Sequence, residues 1–177
     1  MKVERRIPAL VALLALVVAS VPAGAHDHNP PKVTLKTSKG SQAGALWEAH
    51  WAHGSDGPFG RTCFAFAALG SAGFPPEPLG MALVEEASFV LAKKQKPTVV
   101  ALEAWAADPT VILPAPRQDV DHKLERFTTK SGERRWRVLF TPPFLVDDYL
   151  HLHLEWKDVD GCGEQSMDLG YWLRLSA

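Results

Sequence analysis

The stretch that decides the fold is Tyr149-Leu150-His151-Leu152-His153-Leu154-Glu155-Trp156. Apolar and polar residues alternate through all eight positions. Because successive side chains of a β-strand point to opposite faces, the three leucines and Trp156 would share one face. The odd-numbered residues, among them His151 and His153, would share the other face. This period of two predicts a half-buried strand whose leucine face packs against a hydrophobic core.

Shorter runs of the same period occur along much of the chain, separated by proline and glycine clusters that are typical of turns. The candidate strands are residues 33–37, 45–51, 63–67, 98–105, 122–128, 135–140 and 169–175, with Lys130-Ser131-Gly132 in a turn between two of them. Short strands at intervals of about 8–14 residues predict an all-β fold. We expect an antiparallel β-sandwich of immunoglobulin-like character, with a jelly roll as the alternative.

Residues 81–94 fit two patterns. One set of positions in this segment fits the stripe of an amphipathic helix: Leu83, Ala87, Val90, Leu91 and Lys94. Residues 88–92 also fit a strand, and the lysine-rich residues 93–97 would then form a hairpin turn. Because the neighbouring sequence is rich in strands, we favour the strand and keep the helix as the alternative.

The first 25 residues have the three parts of a secretory signal peptide. A positive start is followed by an apolar run over residues 8–21, and Ala23-Gly24-Ala25 supplies the small residues of a cleavage site. The apolar run is shorter than the roughly 20 residues of a membrane-spanning helix. We therefore expect cleavage after Ala25, no membrane anchor after it, and export of residues 26–177 as one soluble domain to the periplasm or the extracellular space.

Composition excludes some classes of function. The chain has 19 Lys and Arg against 20 Asp and Glu, and cleavage would leave 152 residues with a net charge of −3. A nucleic-acid-binding protein normally carries a basic excess, so we expect no nucleic-acid partner. The sequence has no Gly-x-Ser-x-Gly elbow, phosphate-binding loop or His-Glu-x-x-His motif. These features favour a binding protein over an enzyme.

The two cysteines, Cys63 and Cys162, stand 99 positions apart. In the oxidising compartment that export implies, such a pair normally forms a disulfide. The Cys-x-x-Cys spacing of redox motifs is absent from the sequence. We therefore predict a structural Cys63–Cys162 disulfide, which in the chain-entropy model contributes up to about 4.7 kcal/mol of stability.

Cleavage after Ala25 would create a new amino terminus, His26-Asp27-His28. The α-amine, two amide nitrogens and the His28 imidazole make a square-planar nitrogen set that suits Cu(II) or Ni(II). Alternatively, the amine and imidazole of His26 chelate one copper ion. This second arrangement resembles the copper brace of copper-dependent polysaccharide monooxygenases and is similar to the first-position histidine of periplasmic copper-carrier sandwiches. The resemblance implies Cu(II) as the cofactor and assigns no catalytic residues.

Two further histidines can complete such a metal site. His151 and His153 share a strand face, so their imidazoles can converge as half of a zinc or copper site. The predicted metal ligands are therefore His26, His28, His151 and His153. The alternative is an exposed sheet face with ordinary polar residues.

Three weaker candidates contribute little to the predicted site. His50 and His53 have a chelating spacing only on a helix, and His122 stands alone as a surface residue. Residues 158–164 match the start of a calcium-binding loop, but Leu169 stands where its final glutamate should be. We interpret these residues as an acidic turn.

Six tryptophans support a second class of function. Most occupy strand positions that we assign to the core, and Trp47 and Trp51 are expected on the face opposite His50. If several were exposed together, they would form a platform for a glycan or a protein. The sequence thus leaves an exported copper- or other transition-metal-binding sandwich as the first hypothesis. A metal-independent carbohydrate- or protein-interaction module is the second, and an oxidative copper enzyme is the third.

Overall fold

The computed structural model describes residues 30–70, 73–82, 85–110, 116–143, 147–157 and 161–175. These residues form β-strands and no α-helix, so no helix among them is long and apolar enough to cross a membrane. The strands are β1 (Val33–Thr37), β2 (Gly40–Ala43), β3 (Ala45–Gly57), β4 (Gly60–Leu69), β5 (Leu79–Met81), β6 (Ala87–Leu91), β7 (Val99–Trp105), β8 (Arg117–Asp119), β9 (His122–Thr128), β10 (Arg134–Phe140), β11 (Asp147–Trp156) and β12 (Gln165–Leu175). The predicted signal segment, residues 1–25, lies outside the described residues.

The strands form two sheets. The smaller sheet has the order β2-β1-β6-β10-β9, and the larger has the order β4-β3-β12-β11-β7-β8. Neighbours along both orders are antiparallel, and β5 joins the larger sheet by pairing in parallel with β12. One hydrophobic core contains residues of both sheets. The prediction of an all-β antiparallel sandwich is therefore confirmed, while its immunoglobulin-like character stays a prediction.

Strand β11 shows the predicted alternation along its whole length. It pairs with β12 on one side and with β7 on the other. Its leucines and Trp156 are fully buried, whereas Tyr149, His151 and His153 are partly exposed on the opposite face. The outer face of the larger sheet is therefore the face that carries the predicted β11 ligands.

A tyrosine of β12 connects the two sheets. The Tyr171 ring lies 4.7 Å from the Phe89 ring of β6, measured between centroids. Its hydroxyl donates a hydrogen bond of 3.1 Å to the backbone carbonyl of Val33 in β1. Burial raises the pKa of Tyr171 well above its usual value, so the hydroxyl remains a donor. Tyr171 thus joins the sheets through both packing and a hydrogen bond.

The strand predicted within residues 81–94 is present as β6, but the predicted hairpin turn after it is wrong. β6 belongs to the smaller sheet and β7 to the larger, so residues 92–98 cross between the sheets. Two indoles donate hydrogen bonds to this crossing: Trp136 Nε1 to the Lys94 carbonyl at 3.1 Å and Trp156 Nε1 to the Gln95 carbonyl at 3.2 Å. Of the helical stripe proposed as the alternative, residues 83–84 lie outside the described residues.

The predicted Cys63–Cys162 disulfide is confirmed. It joins β4 to the residues before β12, with the two Cα atoms 5.5 Å apart. β4 forms a long hairpin with β3 and lies at the edge of the larger sheet. The disulfide therefore attaches this edge hairpin to the connection between β11 and β12.

Replacing Tyr171 by phenylalanine should lower the free energy of unfolding by about 1 kcal/mol, because the Val33 carbonyl loses a buried hydrogen bond while the ring packing remains. Urea unfolding followed by circular dichroism measures the change. Tyr149→Phe is the matched control, since Tyr149 lies on the outer face. Equal stabilities for the Tyr171→Phe and Tyr149→Phe variants would contradict this role of the hydroxyl.

Candidate functional site

The outer face of the larger sheet brings together most of the polar residues that the sequence singled out. Cross-strand pairs place Glu103 beside His151, Asp168 beside His153, and Glu48 beside Asp168. We call this surface the histidine face and define it by Glu48, His50, Glu103, His151, His153, Glu155 and Asp168. It combines three imidazoles with four carboxylates, which makes it negatively charged when the histidines are neutral.

The two histidines of β11 converge on one carboxylate. His151 Nε2 and His153 Nδ1 lie 2.9 Å and 3.0 Å from the same atom, Asp168 Oδ1. Because a carboxylate can only accept, both imidazoles donate to it. The prediction that their imidazoles share a face is correct, and Asp168 is the residue on which they meet.

Two further carboxylates approach the remaining imidazole nitrogens. His153 Nε2 lies 3.0 Å from Glu155 Oε1, and His151 Nδ1 lies 4.0 Å from Glu103 Oε2. His153 therefore has hydrogen-bond partners at both nitrogens, whereas His151 keeps Nδ1 outside hydrogen-bonding distance of Glu103.

These contacts shift the protonation equilibria of His153 and Asp168. Burial opposes the charged imidazolium, but hydrogen bonds to Glu155 and Asp168 outweigh it and raise the pKa of His153 above 6.5. Burial likewise opposes the Asp168 carboxylate, but hydrogen bonds from His151 and His153 outweigh it and lower the pKa of Asp168 below 3.8. The cluster thus favours a protonated His153 beside an ionised Asp168.

A β-bulge changes which side chains reach the histidine face. β3 and β12 are in register at Glu48 and Asp168, but Leu169 pairs with Leu46, so Trp47 is an extra residue. Its ring stacks on the His151 ring, with centroids 4.8 Å apart and planes 18° apart. The predicted face of Trp47 is therefore wrong: Trp47 lies on the outer face with His50, and it is the preceding Leu46 that packs against the core.

A glycine of β12 makes room for this stacking. Gly170 is paired with His151, and a Cβ atom at Gly170 would lie 2.6 Å from both Trp47 Nε1 and the Gly73 carbonyl oxygen. The Trp47 indole donates a hydrogen bond to that carbonyl. The absence of a side chain at position 170 thus lets the Trp47 indole and the Gly73 carbonyl lie over this part of the sheet.

Three of the six tryptophans lie on the outer face, although most were expected in the core. Trp105, Tyr149 and Trp172 form a cross-strand row beside His151. With Trp47 and Phe74 they make an aromatic cluster whose neighbouring ring centroids lie 5.0–6.3 Å apart. The remaining tryptophans behave as expected, since Trp51 and Trp156 are buried and Trp136 packs against the core.

The rings of the aromatic cluster largely cover one another. Tyr149 stacks on Trp172 at 5.4 Å, and the Arg174 guanidinium lies 4.9 Å from the centre of the same indole. The indole nitrogens of Trp105 and Trp172 are buried and have no hydrogen-bond partner among the described residues. The cluster therefore packs beside the histidine face and is only partly exposed to solvent.

The remaining predicted ligands and the weaker candidates either lie outside the described residues or make other contacts. His26 and His28 lie outside the described residues, as do Asp158 and Asp160 of the calcium-like stretch and the side chain of His53. His50 Nε2 lies 2.7 Å from Oε1 of Glu48, two residues earlier in β3. His122 belongs to β9 of the smaller sheet, and its Nδ1 atom lies 2.9 Å from the Val120 carbonyl oxygen.

Within the part of the chain that the structure describes, no group of three or more His, Cys, Asp or Glu side chains is arranged to hold a metal ion. His151 and His153 therefore supply two imidazoles, which a complete metal site would have to supplement. The sequence analysis did not identify Asp168, although Asp168 shares one face of β12 with Ser166, Gly170 and Trp172. Comparisons with protein-family models, curated proteins and solved structures found no match.

The free energy of unfolding of the metal-free protein should depend on pH through His153. The raised pKa stabilises the fold fully below the ordinary value of 6.5, and this contribution is lost as the pH rises through the higher folded-state pKa. Asp168 stabilises the fold above its ordinary value of 3.8 and loses this contribution as the pH falls through the lower folded-state pKa. The cluster therefore stabilises most between about pH 3.8 and 6.5.

Urea unfolding with a chelator present, at pH 5.5 and pH 8.5, tests this dependence. The decrease from the lower to the higher pH should be smaller for His153→Gln than for the wild type. His122→Gln, which changes a histidine away from the cluster, should keep the wild-type decrease. The same pH dependence in the wild type and in His153→Gln would show that the hydrogen bonds of His153 do not matter to stability.

Proposed function

We propose that this protein is an exported binding protein for a transition-metal ion, with Cu(II) as the first candidate. The observation that carries the proposal is the convergence of His151 Nε2 and His153 Nδ1 on one oxygen atom. Two imidazole nitrogens that already meet at one point can turn to a shared ion with little rearrangement. Imidazole nitrogen is a ligand that copper and zinc accept readily.

The carboxylates of the histidine face support the same function. Glu103, Glu155 and Asp168 surround the two imidazoles, so the local charge favours a cation. Carboxylates that accept hydrogen bonds from imidazoles also hold metal-ligating histidines in position. Binding of the metal would displace a proton from each ligating nitrogen that now donates to a carboxylate.

The remaining nitrogens would come from the predicted mature amino terminus. Pro30, the first described residue, lines an apolar groove with Leu46 and Leu169. Leu46 and Leu169 pack against the core, so this groove lies on the inner side of the larger sheet, opposite the histidine face. His26 precedes Pro30 by four residues, and four extended residues span at most about 14 Å. We propose the His26 amine and imidazole, or the His28 imidazole, as the additional ligands.

The predicted site of action is the periplasm or the extracellular space. The Cys63–Cys162 disulfide supports it, because disulfides persist in oxidising compartments. The signal-like residues 1–25 support it independently.

Mature protein that begins at His26, confirmed by mass, should bind Cu(II) more tightly than micromolar in calorimetric titration. His151→Gln and His153→Gln should each weaken binding at least about tenfold, which corresponds to about 1.4 kcal/mol for one lost ligand. His50→Gln is the matched control, since His50 lies on the same face, and it should bind as the wild type does. Electron paramagnetic resonance should show nitrogen couplings that the two β11 variants change.

Two results would contradict the proposal. One is the absence of Cu(II) binding tighter than micromolar. The other is tight binding that both β11 variants retain, because the amino terminus alone would then account for the copper.

The aromatic cluster favours a second candidate, a glycan-binding module that works without metal. The buried indole N–H groups of Trp105 and Trp172 have no hydrogen-bond partner among the described residues, so a polar ligand entering at the ring edges would find two donors. The partly exposed rings of Tyr149 and Trp172 would pack against the ligand.

Soluble oligosaccharides, added with a chelator present, test the second candidate by tryptophan fluorescence. A ligand of this site should quench the emission of the wild type, and Trp105→Phe should lose this response. Trp136→Phe should keep it, because Trp136 belongs to the smaller sheet. A response that the chelator abolishes, or that Trp105→Phe retains, would argue against the module.

A further inference from the structure

The larger sheet ends in a strand with unusual properties for an edge. β4 has ten residues and pairs only with β3 among the described strands. Its sequence is Gly-Arg-Thr-Cys-Phe-Ala-Phe-Ala-Ala-Leu, in which Arg61 is the one charged residue. Alternate residues of an edge strand direct backbone N–H and C=O groups away from the sheet. β4 therefore presents a long row of hydrogen-bonding groups beside small and apolar side chains.

The other edges of the two sheets are protected in the ways that soluble proteins use. β8 has three residues, all polar and exposed, and β2 has four residues. β9 has seven residues, of which Lys123, Glu125 and Arg126 are charged. In the described structure, β4 is thus the one edge that is both long and nearly free of charge.

The exposed apolar side chains concentrate on the same hairpin. Of the four large hydrophobic residues that are most exposed, three belong to β4 or its turn: Phe59 at 103%, Leu69 at 84% and Phe64 at 52%. Phe59 lies at the tip between β3 and β4, and Leu69 lies at the far end of β4. Phe64 is the midpoint between them in the sequence.

We propose that β4 is the dimer interface of this protein and pairs antiparallel with β4 of a second copy. A two-fold axis at Phe64 brings Phe59 of each copy opposite Leu69 of the other, so the two most exposed apolar side chains cover each other. The same register places Arg61 opposite Ala67. The larger sheets of the two copies become one continuous sheet, and the row of backbone groups on each β4 is satisfied by the other.

The charges of β4 fit a second copy as the occupant. Self-pairing brings no like charges together, because Arg61 faces a neutral alanine and residues 62–69 carry no charge. The Cys63–Cys162 bond holds β4 to the rest of the sheet, which lowers the entropy lost on pairing. The interface involves about ten residues per copy, fewer than the roughly 20–30 of a standard stable interface. We therefore expect a reversible dimer with a dissociation constant in the micromolar range.

Sedimentation velocity of the full mature chain, from about 1 to 300 µM with a chelator present, tests the dimer. The wild type should shift from monomer to dimer over the micromolar range. Ala67→Lys should weaken the dimer about tenfold or more, because symmetry opposes lysine to Arg61 twice. Ala67→Glu has a similar side-chain length and the opposite charge, and it should dimerise at least as tightly as the wild type. Gln118→Lys in β8 adds the same charge to another edge and should leave the dimer unchanged.

Hydrogen exchange supplies a second readout. Amides of β4 should gain protection at high protein concentration in the wild type and in Ala67→Glu, but not in Ala67→Lys. Circular dichroism confirms that each variant is folded, and mass confirms that its disulfide is intact. A wild type that stays monomeric at 300 µM, a dimer that Ala67→Lys preserves, or a dimer without added protection in β4 would each overturn the proposal. None of these results depends on whether the histidine face binds copper.

Discussion

The pleat of β11 is the constraint on which the rest of the molecule depends. Because β11 is paired on both sides, its side chains cannot turn, and every second residue must enter the core. Its buried leucines belong to the core that both sheets share, while His151 and His153 are fixed on the outer face. The packing of the core and the geometry of the candidate site therefore both depend on the position of β11. A shift of β11 by one residue would destroy both.

Much of the sandwich could be predicted because the relevant signals are local. The alternation in β9 and β11, the turn at Gly132 and the single cysteine pair each carry their own information within a short stretch. The short strands β2, β5 and β8 escaped prediction, because three or four residues do not establish a period. The hairpin expected after β6 was wrong, since the periodicity of a strand does not reveal which sheet its successor joins.

The candidate site was only partly predictable, for a different physical reason. The shared face of His151 and His153 follows from the pleat, but Asp168 reaches them through the register of β11 with β12. Trp47 reaches His151 through a bulge in β3 and through the missing side chain of Gly170. Registers and bulges depend on two strands at once, so neither strand's sequence contains them. The residues that surround the histidines therefore emerge only from the assembled sheet.

The disulfide also determines how the molecule would respond to tension. Cys63 and Cys162 close a covalent ring that contains β5 to β11, while β1 to β3 and β12 lie outside it. A load applied to the two ends of the chain would pass across the sulfur–sulfur bond and bypass the segment between the two cysteines. Only the segments before Cys63 and after Cys162 could lengthen. β12 would have to separate from β3 and β11 before its segment could extend. The histidines of β11 sit inside the shielded ring, whereas their partner Asp168 sits outside it. Stretching would thus separate the histidine pair from its carboxylate before it unfolded the strand that carries them.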